Sequence, residues 1–408
     1  MNVAPLKIAY VTMQFPVASE AFAAVELRAL QRLGADITVL AYRRPPAHAN
    51  ALLAERGLAN LPVDQGSLAA TLRGLAEVVL RPQDSLPLIA TVLWHCRGKP
   101  WQLAKALALV PRSLGMLKRL EVLKPDIVHL FWGHYPSLVG LLAKRRLPLT
   151  VVSHFLGAYD LEQGFPLSIQ LARQADRVTT HAEANLPALA ALGFDPARVD
   201  VCYRGIEVPT PLPAPKKIRG LMVVAERLVP QKRTTDTLRV FAEVAKRSPD
   251  ARLHVLGDGP ESPHLKSLAR QLDIEARVIF AGHVSHDEVF RRLAEAEIAI
   301  TMSQSPSERL PNALKEAMLQ RCLCLTTRST GIEELIDDGK TGLLVDPGDI
   351  AGAARVLGTT LNDGEAVARI GGRAQARILA DFDIDRLMAE RLRLWSTLNK
   401  ARLSGAAA

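Results

Sequence analysis

The segment SPSERLPNALKEAMLQRC, residues 305–322, combines charges and a helix start in a pattern that could bind a charged ligand. Glu308 and Glu316 stand eight positions apart, and helical spacing begins between them at Asn312, directly after Pro311. The first turn of a helix has free backbone N–H groups and a partial positive charge, which suit a diphosphate. Carboxylates accept hydrogen bonds from sugar hydroxyls, Glu316 from a ribose and Glu308 from a hexose beyond the diphosphate. The alternative for each glutamate is a solvated surface position.

Two cations follow a predicted strand further up the chain. In ERLVPQKR, Arg227 and Lys232 lie five positions apart, where a strand ending near Ala225 gives way to a helix. A forked guanidinium and a compact ammonium together match the charge of a diphosphate. The alternative for this pair is an ordinary basic loop on a basic protein.

Length and composition limit the possible classes of function. The 408 residues, nearly half of them apolar, predict two domains of roughly 200 residues each. The four cysteines lack metal or redox spacing and the N-terminus lacks a cleavable apolar region, which predicts a cytoplasmic location. The longest lipid-like run, 86–94, is too short for a membrane span. The net charge of +9 fits an anionic substrate, and no signature of nucleic-acid binding accompanies it.

Apolar runs alternate with helical segments along the whole chain. Strands are predicted at 6–13, 36–40, 126–132, 149–155 and 176–181, and then at 220–226, 251–257, 276–282, 297–303, 322–327 and 341–345. This order predicts an α/β protein with two doubly wound, Rossmann-like parallel-sheet domains that face each other across a cleft. Ligands of such sheets bind at the carboxyl ends of the strands.

The domain limits follow from proline and charge patterns. The first domain is predicted at 1–208, a proline-rich linker at 209–219, the second domain at 220–382 and a terminal helix at 383–408. A helical excursion at about 45–124 is rich in Lys and Arg. It is either a solvated helix layer or a surface that meets anionic lipid or a lipid-borne acceptor.

Other motifs carry weaker signals. Gly257 and Asp258, in LGDGP, end a strand where the backbone can approach a ligand, but the motif is an incomplete GxGxxG. GKTG at 339–342 is not a phosphate-binding P-loop, because Glu334 occupies the position of its first glycine. The histidine pairs 283/286 and 129/134 lack a third ligand, so no metal site is predicted, and no serine stands in a GxSxG elbow.

Taken together, five segments of the second half resemble the retaining glycosyltransferases of family 4, which have the GT-B fold. They are AERLVPQKR, LHVLGDGP, VIFAGHVSHDEV, SERLPNALKEAM and TGIEELIDDGKTGLLVDPGD. In the first half, FPVASEAFAAVELRALQRLG, VHLFW and VCYRGIEV are similar to segments of members that build exopolysaccharides. The resemblance implies that the terminal helix crosses back to the first domain.

The resemblance also assigns roles to individual residues. Donor binding falls on Arg227 and Lys232, contact with the donor sugar on Glu308, and contact with the ribose on Glu316. The remaining donor-side positions are Leu310, Asn312 and Ala313 at the diphosphate, Gly257 and Asp258 at the end of their strand, and His283 and Val284 at the base. The pattern SHFLGAYD corresponds to the first-domain His-Gly-x-Asp motif, with His154 as the catalytic histidine and Asp160 as the acid. The sequence departs from the family at Arg309 and Arg233, where glycine is usual, and in SHFLGAYD, which is an altered form of the His-Gly-x-Asp pattern.

The sequence therefore predicts a retaining, metal-independent hexosyltransferase without a cofactor. It would transfer a sugar from a nucleotide-diphosphate sugar to a glycan or polyprenyl-linked acceptor in cell-surface or exopolysaccharide biosynthesis. Peripheral contact with an anionic membrane is a further expectation. The alternative is a catalytically silent nucleotide- or glycan-binding protein on the same fold, given the departures at Arg309 and around His154.

Overall fold

The computed structural model describes residues 5–17, 20–212, 215–304 and 309–406. The chain divides into two compact units. The first combines the chain up to Gly205 with the terminal segment from Ile384 onward, and the second is Ile206–Asp383. Each unit contains one parallel β-sheet with helices packed around it.

The first unit is built on a seven-stranded sheet. Its strands are β1 (Lys7–Thr12), β2 (Asp36–Ala41), β3 (Val63–Asp64), β4 (Ile127–Leu130), β5 (Val151–Phe155), β6 (Arg177–Thr180) and β7 (Val199–Val201). They lie in the order β3-β2-β1-β4-β5-β6-β7. The central strands β4 and β5 are buried along their whole length, as expected for apolar strands covered on both faces. The five strands predicted for this half are confirmed, and β3 and β7 are additional edge strands.

Nine α-helices lie in the first unit before the terminal segment, within the described residues. They are α1 (Ala21–Arg32), α2 (Ala49–Glu55), α3 (Leu68–Leu80), α4 (Pro82–Cys96), α5 (Pro100–Leu123), α6 (Ser137–Arg146), α7 (Ala158–Gln163), α8 (Pro166–Gln174) and α9 (Leu186–Ala191). Helices α3 and α5 pack closely at Gly74, where a Cβ atom would lie 2.1 Å from the carbonyl oxygen of Pro111. The excursion between β2 and β4 is thus a packed layer of helices.

The second unit has a six-stranded sheet. Its strands are β8 (Ile218–Ala225), β9 (Arg252–Leu256), β10 (Val278–Gly282), β11 (Ala296–Thr301), β12 (Leu323–Thr327) and β13 (Leu343–Val345), in the order β10-β9-β8-β11-β12-β13. Its helices are α10 (Thr234–Ala245), α11 (Ser262–Gln271), α12 (His286–Glu295), α13 (Asn312–Leu319), α14 (Ile350–Leu361) and α15 (Gly364–Asp381). All six predicted strands are confirmed.

The terminal helix α16 (Ile384–Ala406) belongs to the first unit and packs against α1. Arg391 Nη1 donates a buried hydrogen bond to Glu26 Oε2 at 2.9 Å. The ring of Trp395, which is completely buried, lies 5.1 Å from that of His129 on β4. Apolar burial and a buried ion pair therefore both attach α16 to the first unit.

Candidate functional site

Most of the predicted donor-side residues follow neighbouring strands of the second sheet. Strands β10, β9, β8 and β11 are adjacent and parallel, so their carboxyl ends meet at one edge. After β8 come Arg227 and Lys232, after β9 come Gly257 and Asp258, and after β10 come His283 and Val284. The structure therefore brings these six residues to the edge where ligands of such sheets bind.

Backbone hydrogen bonds hold these segments together. Glu226 N–H donates to the carbonyl of Leu256 at 3.0 Å, and Leu228 N–H donates to that of Asp258 at 3.0 Å. Gly257 N–H donates to Gly282 O at 2.8 Å, which connects the ends of β9 and β10. Because Glu226 and Leu228 flank Arg227 in the chain, the contacts with β9 fix the backbone of this predicted phosphate-binding residue.

The glycine of LGDGP nearest to β9 is required by close backbone contact. Gly257 has φ +135°, and a Cβ atom there would lie 1.9 Å from Glu226 O. Gly259 is similar, since its Cβ would lie 2.3 Å from Leu228 O. The motif that looked like an incomplete nucleotide fingerprint is therefore needed to let two loops approach, whatever ligand contacts it also makes.

Lys232 lies in a short 3-10 turn, Pro230–Lys232, that is connected to the segment after β11. Gln304 N–H donates to the carbonyl of Gln231 at 3.0 Å. The next residue, Arg233, has φ +54°, which is the left-handed region where glycine is favoured. Its guanidinium contacts the buried carboxylate of Asp236 at 2.8 Å. The side chain at this departure from the family pattern thus has a clear structural partner.

Helix α13 begins at Asn312, as predicted, and Pro311 precedes it. Lys315, which is completely buried, donates from Nζ to Asn312 Oδ1 at 3.1 Å and lies 5.4 Å from the ring centre of Phe382. The first turn therefore combines the positive end of a helix dipole with a buried ammonium group. Both features favour an anion at this helix end.

Glu316 lies one turn into α13, with 14% of its side chain exposed. His286 Nε2 donates to its Oε1 at 3.0 Å. Because His286 opens α12 only two positions after Val284, this contact places Glu316 beside the segment that follows β10. Glu308 lies outside the described residues, so its predicted contact with the donor sugar stays a prediction, while Leu310 is largely buried and Ala313 half-buried.

A second cluster lies at the carboxyl ends of β4, β5 and β6 in the first unit. Asp160 is buried on α7, where its Oδ2 accepts from Gly157 N–H at 2.9 Å and its Oδ1 lies 3.7 Å from His134 Nδ1. His154 is completely buried within β5, and its Nε2 lies 3.0 Å from Ser168 Oγ. Burial lowers the pKa of His154 to about 4, although the carboxylate of Asp160 opposes the shift. Both side chains are therefore buried, that of Asp160 on the helix that follows β5 and that of His154 within the strand itself.

Residues 20–208 match the model for Glycosyltransferase Family 4, and residues 213–377 match that for Glycosyl transferases group 1. The chain belongs to glycosyltransferase family 4. Together, the two models cover both units, so each half of the chain matches a glycosyltransferase model.

This family 4 glycosyltransferase is similar to proteins of known name. It is 34% identical to N-acetyl-alpha-D-glucosaminyl L-malate synthase of Bacillus anthracis over 159 aligned residues. These residues are 39% of this chain and 40% of that enzyme. It is 26% identical over 407 residues to the amylovoran biosynthesis glycosyltransferase AmsK of Erwinia amylovora, covering 93% and 96%. The crystal structure of Anabaena HepE in complex with UDP superimposes with a TM-score of 0.72 at 17% identity, covering 96% of this chain and all of HepE. This likeness establishes the fold, which is GT-B.

In this glycosyltransferase, Arg204 is a functional candidate that sequence reasoning missed. Its guanidinium lies 3.9 Å from the ring centre of Phe22, 5.0 Å from that of Trp132 and 5.1 Å from that of Phe155. Burial lowers the pKa of Arg204, and the nearby carboxylates of Glu26, Asp160 and Glu20 oppose that shift. The three rings and the guanidinium come from four separate segments of the chain, so no local sequence pattern indicates that they lie together. Their positions in the chain were a usable signal, because Trp132 follows β4 and Arg204 follows β7, and ligands of parallel sheets bind at the carboxyl ends of strands.

Two further observations bear on ligands. Within the described part of the chain, no three His, Cys, Asp or Glu side chains lie close enough together to hold a metal ion. Across residues 5–17, 20–212, 215–304 and 309–406, no helix is both long and apolar enough to cross a bilayer.

Proposed function

We propose that this glycosyltransferase moves a sugar, with retention of anomeric configuration, from a UDP-sugar to a hydroxyl group of a lipid-linked glycan in exopolysaccharide biosynthesis. One observation carries the proposal: Arg227, Lys232 and the segment bordering Glu316 lie at one edge of the second sheet. The donor base is suggested by HepE, whose structure was solved with UDP. The pathway is suggested by AmsK, which is named for amylovoran biosynthesis.

The chemistry follows from where negative charge develops. When the bond between the sugar C1 and the diphosphate oxygen breaks, charge accumulates on the departing diphosphate. Arg227, Lys232 and the N-terminus of α13 stabilise that charge where it forms, as fixed donors and dipoles do in other active sites. With two cations and a helix end in these roles, we propose that the transfer needs neither a metal ion nor a cofactor.

Retention requires the acceptor to attack the face of the sugar that the diphosphate leaves. The acceptor oxygen forms a new bond to C1, the C1–diphosphate bond breaks, and a diphosphate oxygen takes the proton of the acceptor hydroxyl. No nucleophilic side chain is needed in this scheme. Glu316 would hold the ribose and Glu308 the transferred sugar, while Leu310, Asn312 and Ala313 would present backbone groups to the diphosphate.

The acceptor side of the proposal belongs to the first unit. Trp132, His134 and Asp160 lie at the carboxyl ends of its strands, and Arg204 lies among the aromatic rings beside them. A carboxylate and an imidazole can bind sugar hydroxyls, and the flat apolar face of Trp132 can pack on a sugar ring. Since His154 is buried, its proposed contribution is to position this edge of the sheet through Ser168.

The test is release of UDP from UDP-sugars in the presence of lipid-linked glycan acceptors. Lys232→Ala should lower kcat/KM at least 100-fold, since charge-stabilising donors in active sites are worth about that much. Lys246→Ala is the matched control, because Lys246 is exposed directly after α10 and its ion pair within the described residues is with nearby Glu243. Unchanged turnover in Lys232→Ala would contradict the role of Lys232 in stabilising the departing diphosphate. Loss of turnover on adding EDTA would contradict the proposal that no metal ion is needed.

A second function, a silent nucleotide-binding protein, is favoured by one observation. Arg309 replaces the glycine that family members usually have beside the first glutamate of the motif. A thermal-shift titration with UDP separates the two functions when it is combined with the turnover assay. UDP at about 100 times its Kd should add roughly 2.7 kcal/mol to the free energy of unfolding. That shift without UDP release from any donor would favour the silent protein.

A further inference from the structure

The connection between α4 and α5 presents two tryptophans to solvent. Trp94 lies in the last turn of α4 and is 66% exposed, and Trp101 lies in the first turn of α5 and is 72% exposed. Only residues 97–99 separate the two helices. Two large aromatic side chains left in water at one helix connection require an explanation, because folding alone would bury them.

Each of these tryptophans has a cation over its ring. The guanidinium carbon of Arg97 lies 4.5 Å from the ring centre of Trp94, and Lys105 Nζ lies 4.8 Å from that of Trp101. Neither cation forms an ion pair with an acidic side chain among the residues that the structure describes. Their charges are therefore available to an external anion.

The sequence around Trp94 and Trp101 carries positively charged and no negatively charged side chains. Residues 86–120 contain six Lys and Arg residues and no Asp or Glu. Of these six, three pair with acids outside the run: Arg112 and Arg119 with Asp64, and Lys118 with Glu77. The end of the layer near Trp94 and Trp101 therefore keeps a net positive charge.

Helix α3, in the same layer, carries an apolar stripe formed by Leu68, Leu72, Leu75 and Val79. Their spacing of four, three and four positions places them on one helix face, and all four are exposed. The opposite face carries the buried residues Gly74 and Glu77. The helix is thus amphipathic with its leucines turned toward solvent, the reverse of the pattern of a helix that only covers a core.

Helix α4 also borders a cavity of about 480 Å³, together with α6 and α8. His95, Lys144 and Arg145 contribute to its wall. Lys144 is paired with Asp176, but Arg145 has no acidic partner within the described ranges. A concave site of this size with an available guanidinium has room for an anionic headgroup.

We propose that the α3–α5 layer docks on a bilayer with anionic headgroups. Trp94 and Trp101 would lie at the boundary between headgroups and acyl chains, where tryptophan is favoured, while Arg97 and Lys105 meet the phosphates. The apolar stripe of α3 adds area to the same attachment. Charge complementarity favours an anionic bilayer as the partner, because residues 86–120 carry cations and no Asp or Glu. The inference does not depend on the donor chemistry, since it concerns residues other than those assigned to the sugar nucleotide.

The experiment is co-sedimentation of the full chain with vesicles of phosphatidylglycerol and phosphatidylcholine, and with phosphatidylcholine alone. We expect binding to the anionic vesicles at low salt and weaker binding as salt is raised. Trp94→Ser with Trp101→Ser should lower the partition coefficient on the order of tenfold per tryptophan. Arg97→Gln with Lys105→Gln should lower it about fivefold per charge.

Tryptophan fluorescence gives a second readout. The chain has four tryptophans, and Trp132 and Trp395 are at least partly buried, so a blue shift on vesicle binding should come from Trp94 and Trp101. The double serine variant should lose that shift and keep the melting temperature of the wild type, because both side chains are exposed. Ile279→Ser, which removes an exposed side chain from β10 of the second unit, is the matched control and should bind like the wild type.

Three results would overturn the proposal. The first is no binding of the wild type to phosphatidylglycerol vesicles at low salt. The second is equal binding to phosphatidylcholine alone, which would remove the role of the cations. The third is wild-type partitioning by the folded double serine variant, which would place the attachment elsewhere.

Discussion

Gly257→Ala is the sharpest test of how the donor site is positioned, because it changes backbone contact and removes no ligand-binding side chain. The added Cβ would lie 1.9 Å from Glu226 O, and real Cβ contacts shorter than 3.0 Å essentially do not occur. The two loops must therefore separate by roughly 1 Å, which also strains the 2.8 Å hydrogen bond from Gly257 N–H to Gly282 O. The residue that moves with Glu226 is its neighbour Arg227.

A displacement of about 1 Å in a positioning group can lower the rate on the order of 100-fold. We expect this loss in kcat/KM for UDP release, together with a lower melting temperature. Backbone strain alone costs about 1–3 kcal/mol. Gly339→Ala separates the two effects, because Gly339 has φ +72° and no atom within 4 Å of its Cβ position. Equal activity of the two variants would refute the idea that the approach of Gly257 to Glu226 positions Arg227.

Two further predictions concern individual histidines. His286→Ala should release the carboxylate of Glu316 and raise KM for the donor about fivefold, the worth of one hydrogen bond, with kcat unchanged. Initial rates measure this, and a lowered kcat would count against it. For His154, burial lowers the pKa from 6.5 to about 4, so the unfolded chain binds a proton that the folded chain rejects between these values. Because of this difference in proton binding, the free energy of unfolding is higher by about 3 kcal/mol above pH 6.5 than at pH 4, and it falls as the pH is lowered between these values. In His154→Gln, the melting temperature should therefore depend less on pH between 6.5 and 4.

The sequence was sufficient to predict elements whose signal is local. The strands β8 to β13 were predicted because each is an apolar run between helical segments, and the same signal found β1, β2, β4, β5 and β6. The start of α13 at Asn312 was predicted because proline marks a first turn. By contrast, β3 and β7 contain two and three residues, too few to show a period of two.

The parts of the site that sequence reasoning missed depend on strand order. His286 and Glu316 are 30 positions apart and meet only because α12 and α13 pack together. Arg204 lies between the ring of Trp132, which follows β4, and that of Phe155, which ends β5, so its surroundings depend on the neighbouring positions of those strands in the sheet. The burial of His154 did follow from the predicted strand 149–155, because a parallel sheet covered on both faces buries every residue of a central strand.

Arg233 shows how a departure from a family pattern can keep the same geometry. The left-handed conformation at φ +54° costs a residue with a Cβ atom about 1–3 kcal/mol, which glycine would avoid. The guanidinium of Arg233 donates to the buried carboxylate of Asp236 at 2.8 Å, and a hydrogen bond between charged groups contributes about 1.5–3 kcal/mol. Arg239 contacts the other oxygen of Asp236 at 3.2 Å, so the carboxylate itself is held in place. The cost of the left-handed backbone and the gain from the contact between Arg233 and Asp236 are of similar size. The contact therefore offsets the backbone strain that a glycine would avoid, and the turn that carries Lys232 can keep its shape.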